Sequence, residues 1–310
     1  MFRTKSFNTF NLSVLILIAL TLFVAGCQSE NSSTEKEEDQ EINYSEEVNH
    51  TIIGIEPGAG ITVTTEKAID EYESLKGWTL EQSSTTAMTA ALDDAIEKEE
   101  PIIITGWNPH WIFAKYPNMK YLEDPDNVYG DEEVIKTLAR KGLKEDMPNA
   151  YKLIDQFQWD IEDMEGIMYE THQTGDELKD VAKRWVEDNP DKVAEWTEGV
   201  EKAEGKSIEL TSTQWDSELS ATYVVAEVLE EYGYDVTVTP VDLAIVYESV
   251  ANGDADATLA VWMPITTKAF YDKHEGNFDD LGENLTGAKI GLVVPEYMDI
   301  DSIEDLEPAK

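Results

Sequence analysis

Two α/β lobes facing each other across a cleft are the fold that this 310-residue sequence predicts. Three observations carry that expectation. Strands and helices alternate in two separate stretches, as in mostly parallel sheets covered by helices. A largely helical block separates the stretches. Each stretch then ends a strand on an aromatic–X–proline element, Gly106-Trp107-Asn108-Pro109 in the first and Val261-Trp262-Met263-Pro264 in the second. Open α/β sheets present ligand-binding side chains at the carboxyl ends of their strands, so matched strand-end aromatics on two lobes place a site between them.

The elements follow in order. Ile52-Ile53-Gly54-Ile55 reads as the first strand, and folded sequence is expected from about Thr51. A glycine-rich turn, Pro57-Gly58-Ala59-Gly60-Ile61-Thr62, leads into a helix expected over Thr64 to Leu75 with Ala68, Ile69 and Tyr72 on one face. Trp78-Thr79-Leu80 is the second strand. Ser83-Ser84 caps a helix through Ile96, and Pro101 to Trp107 is the third strand. Residues 131–203 read as largely helical, because Ile154, Phe157, Ile161, Met164 and Met168 recur at spacings of three and four. After Gly205 the alternation restarts: strand Ile208 to Thr211, helix Glu218 to Tyr232 ended by Gly233, strand Asp235 to Thr239, helix Leu243 to Ala251, strand Ala257 to Trp262. A last strand covers Lys289 to Pro295, and Ile303 begins a short terminal helix.

The N-terminus carries a different signal. Arg3 and Lys5 precede an apolar run from Leu12 to Val24, which ends in Ala25-Gly26-Cys27. A basic start, a short apolar segment and small residues make a secretory signal peptide over residues 1–26, too short to span a membrane comfortably. Cys27 is the sole cysteine of the chain. Its place directly after the small residues resembles the bacterial lipobox, in which that cysteine is acylated and becomes the first mature residue. An ordinary signal peptide with a chance cysteine is the weaker alternative. On this reading the mature chain forms no disulfide and is held to the outer face of the cell membrane by lipid on Cys27. Residues 27–49, polar and acidic, are expected to be a disordered tether. Lobe 1 is then assigned to residues 50–130, with 295–310 returning to it, and lobe 2 to 131–294. Chain crossings are expected near Asn127 to Glu133 and near Val294-Pro295.

A formal net charge of −42 excludes nucleic acid and anionic lipid headgroups as partners. It reads either as an ordinary solvated acidic surface or as adaptation to salty surroundings, where screening relieves self-repulsion.

Eight tryptophans are the chemical feature of the chain. Trp78, Trp111, Trp159, Trp185 and Trp196 sit within elements and read as core. Trp107 and Trp262 end strands, and Trp215 follows one. For a single tryptophan the core reading wins; for three at equivalent strand ends the cleft is the better reading. A quaternary ammonium carries charge but no N–H, so hydrogen bonds cannot hold it, whereas indole faces can. The glycine-rich turn adds open N–H groups and the positive end of a helix, which suit a carboxylate, although alone it reads equally as a plain tight turn. It is no nucleotide fingerprint, since Val63 stands where the third glycine belongs.

The segments IIGIEPGAGI (52–61), PIIITGWNPHW (101–111), KYLEDPDNVYG (120–130), QWDSELSAT (214–222), VWMPITTKAFY (261–271) and GLVVPEYM (291–298) together resemble the glycine betaine-binding lipoproteins of bacterial osmoprotectant ABC importers. The resemblance covers Thr51 to Leu306. It implies a two-lobed type II periplasmic-binding-protein fold in which Trp107, Trp215 and Trp262 wall an ammonium cage and the Gly60 and Ile61 N–H groups take the carboxylate. It implies a monomer without cofactor, which delivers glycine betaine or a related betaine to a membrane permease driven by a separate ATPase. Choline or carnitine preference within the same family is the alternative substrate reading. One position departs from the pattern: where relatives often have a carboxylate-binding histidine, five residues after the third tryptophan, this chain has Thr267. His110 is placed at the ligand site, and its other reading, as general base of a secreted hydrolase, lacks a nucleophile elbow to serve. No His-x-x-x-His or Cys/His spacing suggests a metal.

Overall fold

The computed structural model describes residues 42–310. The signal peptide, Cys27 and most of the tether lie outside the described residues. No helix among the described residues is long and apolar enough to cross a membrane.

Among the described residues, nine strands form the scaffold: β1 (Thr51–Ile53), β2 (Thr79–Glu81), β3 (Ile104–Asn108), β4 (Met119–Tyr121), β5 (Glu133–Arg140), β6 (Lys206–Ser212), β7 (Tyr234–Pro240), β8 (Ala257–Met263) and β9 (Phe278–Pro295). Their order is β2-β1-β3-β9-β5-β8-β6-β7, with β4 beside β9. β1 runs parallel to β2 and β3, and β6 runs parallel to β7 and β8, as strand–helix–strand alternation requires. β5 and β9 enter antiparallel and join the two parallel groups. The 18-residue β9 serves both. Its first part, Phe278 to Ala288, pairs with β5, and its second part, Lys289 to Val293, pairs with β3. The architecture is thus α/β and two-lobed. The passage from one group to the other in β9 falls between Ala288 and Lys289.

Strand β5 is absent from the helical reading of residues 131–203. Its inward positions include Glu133 and Thr137, both buried, so the alternation on which strand recognition depends is masked by polar residues in core positions. Five helices do follow it: Leu143–Asp146, Pro148–Gln156, Ile161–Thr174, Leu178–Asp188 and Pro190–Trp196. They pack an aromatic group in which Trp185 stacks on Trp196 at 5.8 Å and Phe157 meets Trp196 edge-on at 4.8 Å. Trp78, Trp111, Trp159 and Trp196 are buried and Trp185 is half-buried against the same core. Each such indole removes a large apolar surface from water, worth on the order of 2–3 kcal/mol.

Folded chain begins earlier than Thr51. A short helix, Tyr44–Glu47, is capped by the Asn43 side chain, which accepts from the Glu46 N–H. It is tied to the C-terminal tail: Glu307 N–H donates to Ser45 Oγ at 2.8 Å, and Asn43 Nδ2 donates to Glu307 Oε2 at 2.9 Å. Partners some 260 residues away hold an otherwise polar segment, and local composition carries no sign of them.

Candidate functional site

The helix after β1 starts at Gly60, four residues ahead of its expected start, and runs to Glu71. Its N-cap is Ala59, whose side chain offers no hydrogen-bond acceptor. The first-turn N–H groups, those of Gly60 and Ile61 among them, cannot be satisfied within the helix and stay open to an external acceptor. Ile61 and Ala59 are buried, so these groups face an enclosed space and not bulk water.

That space is a cavity lined from the first block by Ile55, Ala59, Gly60, Ile61 and Trp107 and from the second by Trp215, Glu218, Trp262 and Thr266, with Ile290 of β9. All three strand-end tryptophans reach it. Trp107 lies in β3 and Trp262 in β8, while Trp215 is the N-cap residue of the helix Asp216–Glu231. Each indole is fixed from behind. Trp262 Nε1 donates to Glu218 Oε1 at 2.6 Å, and Trp215 Nε1 donates to Glu56 Oε1 at 2.5 Å. The His110 ring meets Trp107 edge-on at 4.6 Å. With the Trp215 and Trp262 N–H edges engaged by carboxylates, the electron-rich faces of these two indoles are left for other contacts.

The blocks touch at several points. Glu56 to Trp215 is one bond across them. Gly60 approaches Thr266 so closely that a Cβ there would lie 2.2 Å from the Thr266 carbonyl oxygen. Buried Glu133 holds that turn, accepting from the Ile265 and Thr266 N–H groups at 2.8 Å each and from Thr266 Oγ1 at 2.5 Å. In addition, Asn108 Nδ2 donates to Glu165 Oε1 at 2.6 Å, and Trp111 stacks on His172 at 3.8 Å.

Two residues placed at the site by sequence are elsewhere. Thr267 does not line the cavity. It is wholly buried, donates from Oγ1 to the Trp262 carbonyl at 2.6 Å and accepts from Tyr247 Oη at 2.6 Å. It therefore braces the end of β8, and the adjacent Thr266 takes the lining position. His110 lies behind Trp107, with Nδ1 accepting from the Ile112 N–H at 3.2 Å. Burial lowers its pKa to about 3, with a smaller contribution from His172, so the ring is neutral and serves as packing. Sequence reasoning missed Glu218, Thr266, Glu56 and Glu133. For Glu218 one signal existed: it stands three residues after Trp215, one helical turn along.

The chain is similar to proteins of known family. A model of the substrate binding domain of ABC-type glycine betaine transport systems matches residues 34–188 and 206–310. The chain belongs to that family. It is a transport substrate-binding protein and not an enzyme, as the family is. A glycine betaine/carnitine transport binding protein, GbuC, from Listeria monocytogenes serotype 1/2a (strain 10403S) is 46% identical over 300 residues, which are 96% of this chain and 97% of that protein. Among solved structures, lactococcal OpuAC in its closed-liganded conformation with glycine betaine is 46% identical. That match covers 49% of this chain and 59% of the other, at a TM-score of 0.46. The glycine betaine/L-proline-binding protein ProX of Borrelia burgdorferi is 34% identical over 49% of this chain and 57% of its own, also at a TM-score of 0.46.

Proposed function

We propose that this family member captures glycine betaine, or a closely related betaine, in the cavity walled by Trp107, Trp215 and Trp262. The trimethylammonium group sits among the three indole faces, and the carboxylate takes the open N–H groups of Gly60 and Ile61. The observation that carries this reading is the joint arrangement: three indoles and an uncapped helix start line one cavity. Cation–π attraction and expulsion of water from the methyl groups stabilise one end, and charge-assisted hydrogen bonds the other.

Lobe 1 is built on β1 to β4 and lobe 2 on β5 to β8, with residues 127–133 and β9 as the crossings. A ligand that touches both lobes favours the closed arrangement over the open one, and that difference drives closure. The closed form then docks on a membrane permease powered by a separate ATPase. The protein acts as a monomer outside the cytoplasm, anchored through lipid on Cys27.

Calorimetric titration with glycine betaine, proline betaine, carnitine and choline tests the assignment. Choline lacks a carboxylate and leaves two buried N–H groups unpaired, so it binds more weakly than glycine betaine. The size of the GbuC match makes carnitine the second ligand to try. Choline bound as tightly as glycine betaine overturns the carboxylate assignment.

A further inference from the structure

One ionisable group in the cavity wall has no part in the scheme above. Glu218 is 2% exposed and lines the cavity beside Trp215 and Trp262. Oε1 accepts from Trp262 Nε1 at 2.6 Å, and Oε2 accepts from Ser217 Oγ at 2.6 Å. No cationic side chain among the described residues pairs with it. A buried carboxylate without a countercharge is costly, and its ionised form gains most when a cation enters the same enclosure. A carboxylate on an indole N–H also pushes electron density into the ring, which strengthens the face that meets the cation.

We propose that Glu218 is a specificity-determining residue: ionised, it makes the cage select a full positive charge over a neutral group of the same shape. The proposal rests on the reading of this cavity as an ammonium cage. Burial raises the Glu218 pKa to about 7, opposed by its hydrogen bonds from Ser217, from its own backbone N–H and from Trp262. Capture of a cation therefore releases a proton below that pH. The other titratable groups facing this region are Asp216 on the same helix, Tyr247 from the helix Leu243–Asn252, Glu133 from β5, Glu56 from the turn after β1, and Glu165 and His172 from the helix Ile161–Thr174.

The probes are glycine betaine and 3,3-dimethylbutyrate, its neutral-headed carbon analogue with the same methyls and carboxylate. In the wild type, affinity for glycine betaine is expected to fall as pH drops from 8 to 6, by up to about tenfold per unit for one proton. Affinity for 3,3-dimethylbutyrate is expected to hold constant or rise. Glu218→Gln keeps an acceptor for the Trp262 N–H and removes the charge. It should flatten the pH profile and lower the betaine-to-dimethylbutyrate preference by roughly tenfold. Ser217→Ala removes a donor to the carboxylate and should move the wild-type midpoint upward, which tests the idea even if the glutamine variant folds poorly. A pH slope that persists in Glu218→Gln, an unchanged preference, or an unmoved midpoint in Ser217→Ala overturns the role of Glu218 and leaves the cage standing. Failure of the wild type to bind glycine betaine at any pH overturns both.

Discussion

Single side chains divide into those that face the cavity and those that hold its walls. Trp107→Ala, Trp215→Ala and Trp262→Ala should each weaken glycine betaine binding by roughly one to a few kcal/mol, from lost cation–π attraction and apolar contact. Calorimetry reads the loss, and thermal melts should show each variant folded. Trp78→Ala, Trp159→Ala and Trp196→Ala remove core volume instead and should lower stability by about 3–5 kcal/mol. Glu218 carries a stability signature of its own. Its folded pKa lies above the ordinary carboxylate value, so its contribution is intact at low pH and is lost as pH rises through about 7. Glu218→Gln should therefore stabilise the ligand-free protein at pH 8, by on the order of 2–3 kcal/mol, and have little effect near pH 4. Denaturant titrations at the two pH values measure this. A residue that costs stability when empty and gains with ligand present is one that function retains. The indole positions were legible in the sequence because three of them stand at strand ends. Glu133, Glu218 and Glu56 were not, since acidic residues in so acidic a chain read as solvated surface until tertiary contacts engage them.

At the scale of elements, the uncapped start of the helix Gly60–Glu71 and the turn at Thr266 form a close meeting of the two blocks. Gly60 is required there by closeness of approach, not by a special backbone angle. Gly60→Ala would bring its Cβ within 2.2 Å of the Thr266 carbonyl oxygen, so the blocks must separate to admit it. The expected result is weakened binding with an unchanged melting temperature of the ligand-free protein; equal affinity would show that this contact is no part of the bound form. The alternating blocks were legible because local periodicity and turn residues specify them. Ser84, for example, caps the helix Thr85–Lys98 through an acceptor to Ala87 N–H, as the sequence suggested. What stayed hidden depends on distant partners. β5 buries Glu133 and Thr137, and the first eleven residues of β9 carry Asp, Glu, Asn and two glycines that read as loop. Pairing with each other turns both into strands. The helix Tyr44–Glu47 likewise exists through its bonds to Glu307.

The whole molecule sets acidic charge against a neutral ligand. Its net charge of −42 opposes compaction in dilute buffer, so the melting temperature should rise from dilute buffer to molar NaCl; no rise would count against adaptation to salt. Glycine betaine is a zwitterion of zero net charge, and its proposed contacts are buried. Affinity should then vary little with NaCl over the range that moves the melting temperature. Closure is a further whole-molecule expectation, read as a smaller radius of gyration by small-angle scattering when glycine betaine is bound. The central claim is the enclosure of the trimethylammonium group by three indole faces, and proton NMR of the ligand tests it most directly. Protons held over aromatic faces are shielded, so the account predicts that the methyl resonance of glycine betaine moves upfield on binding, further than its methylene resonance, and that Trp215→Ala reduces the shift. A bound ligand whose methyl resonance stays at its free position would contradict it.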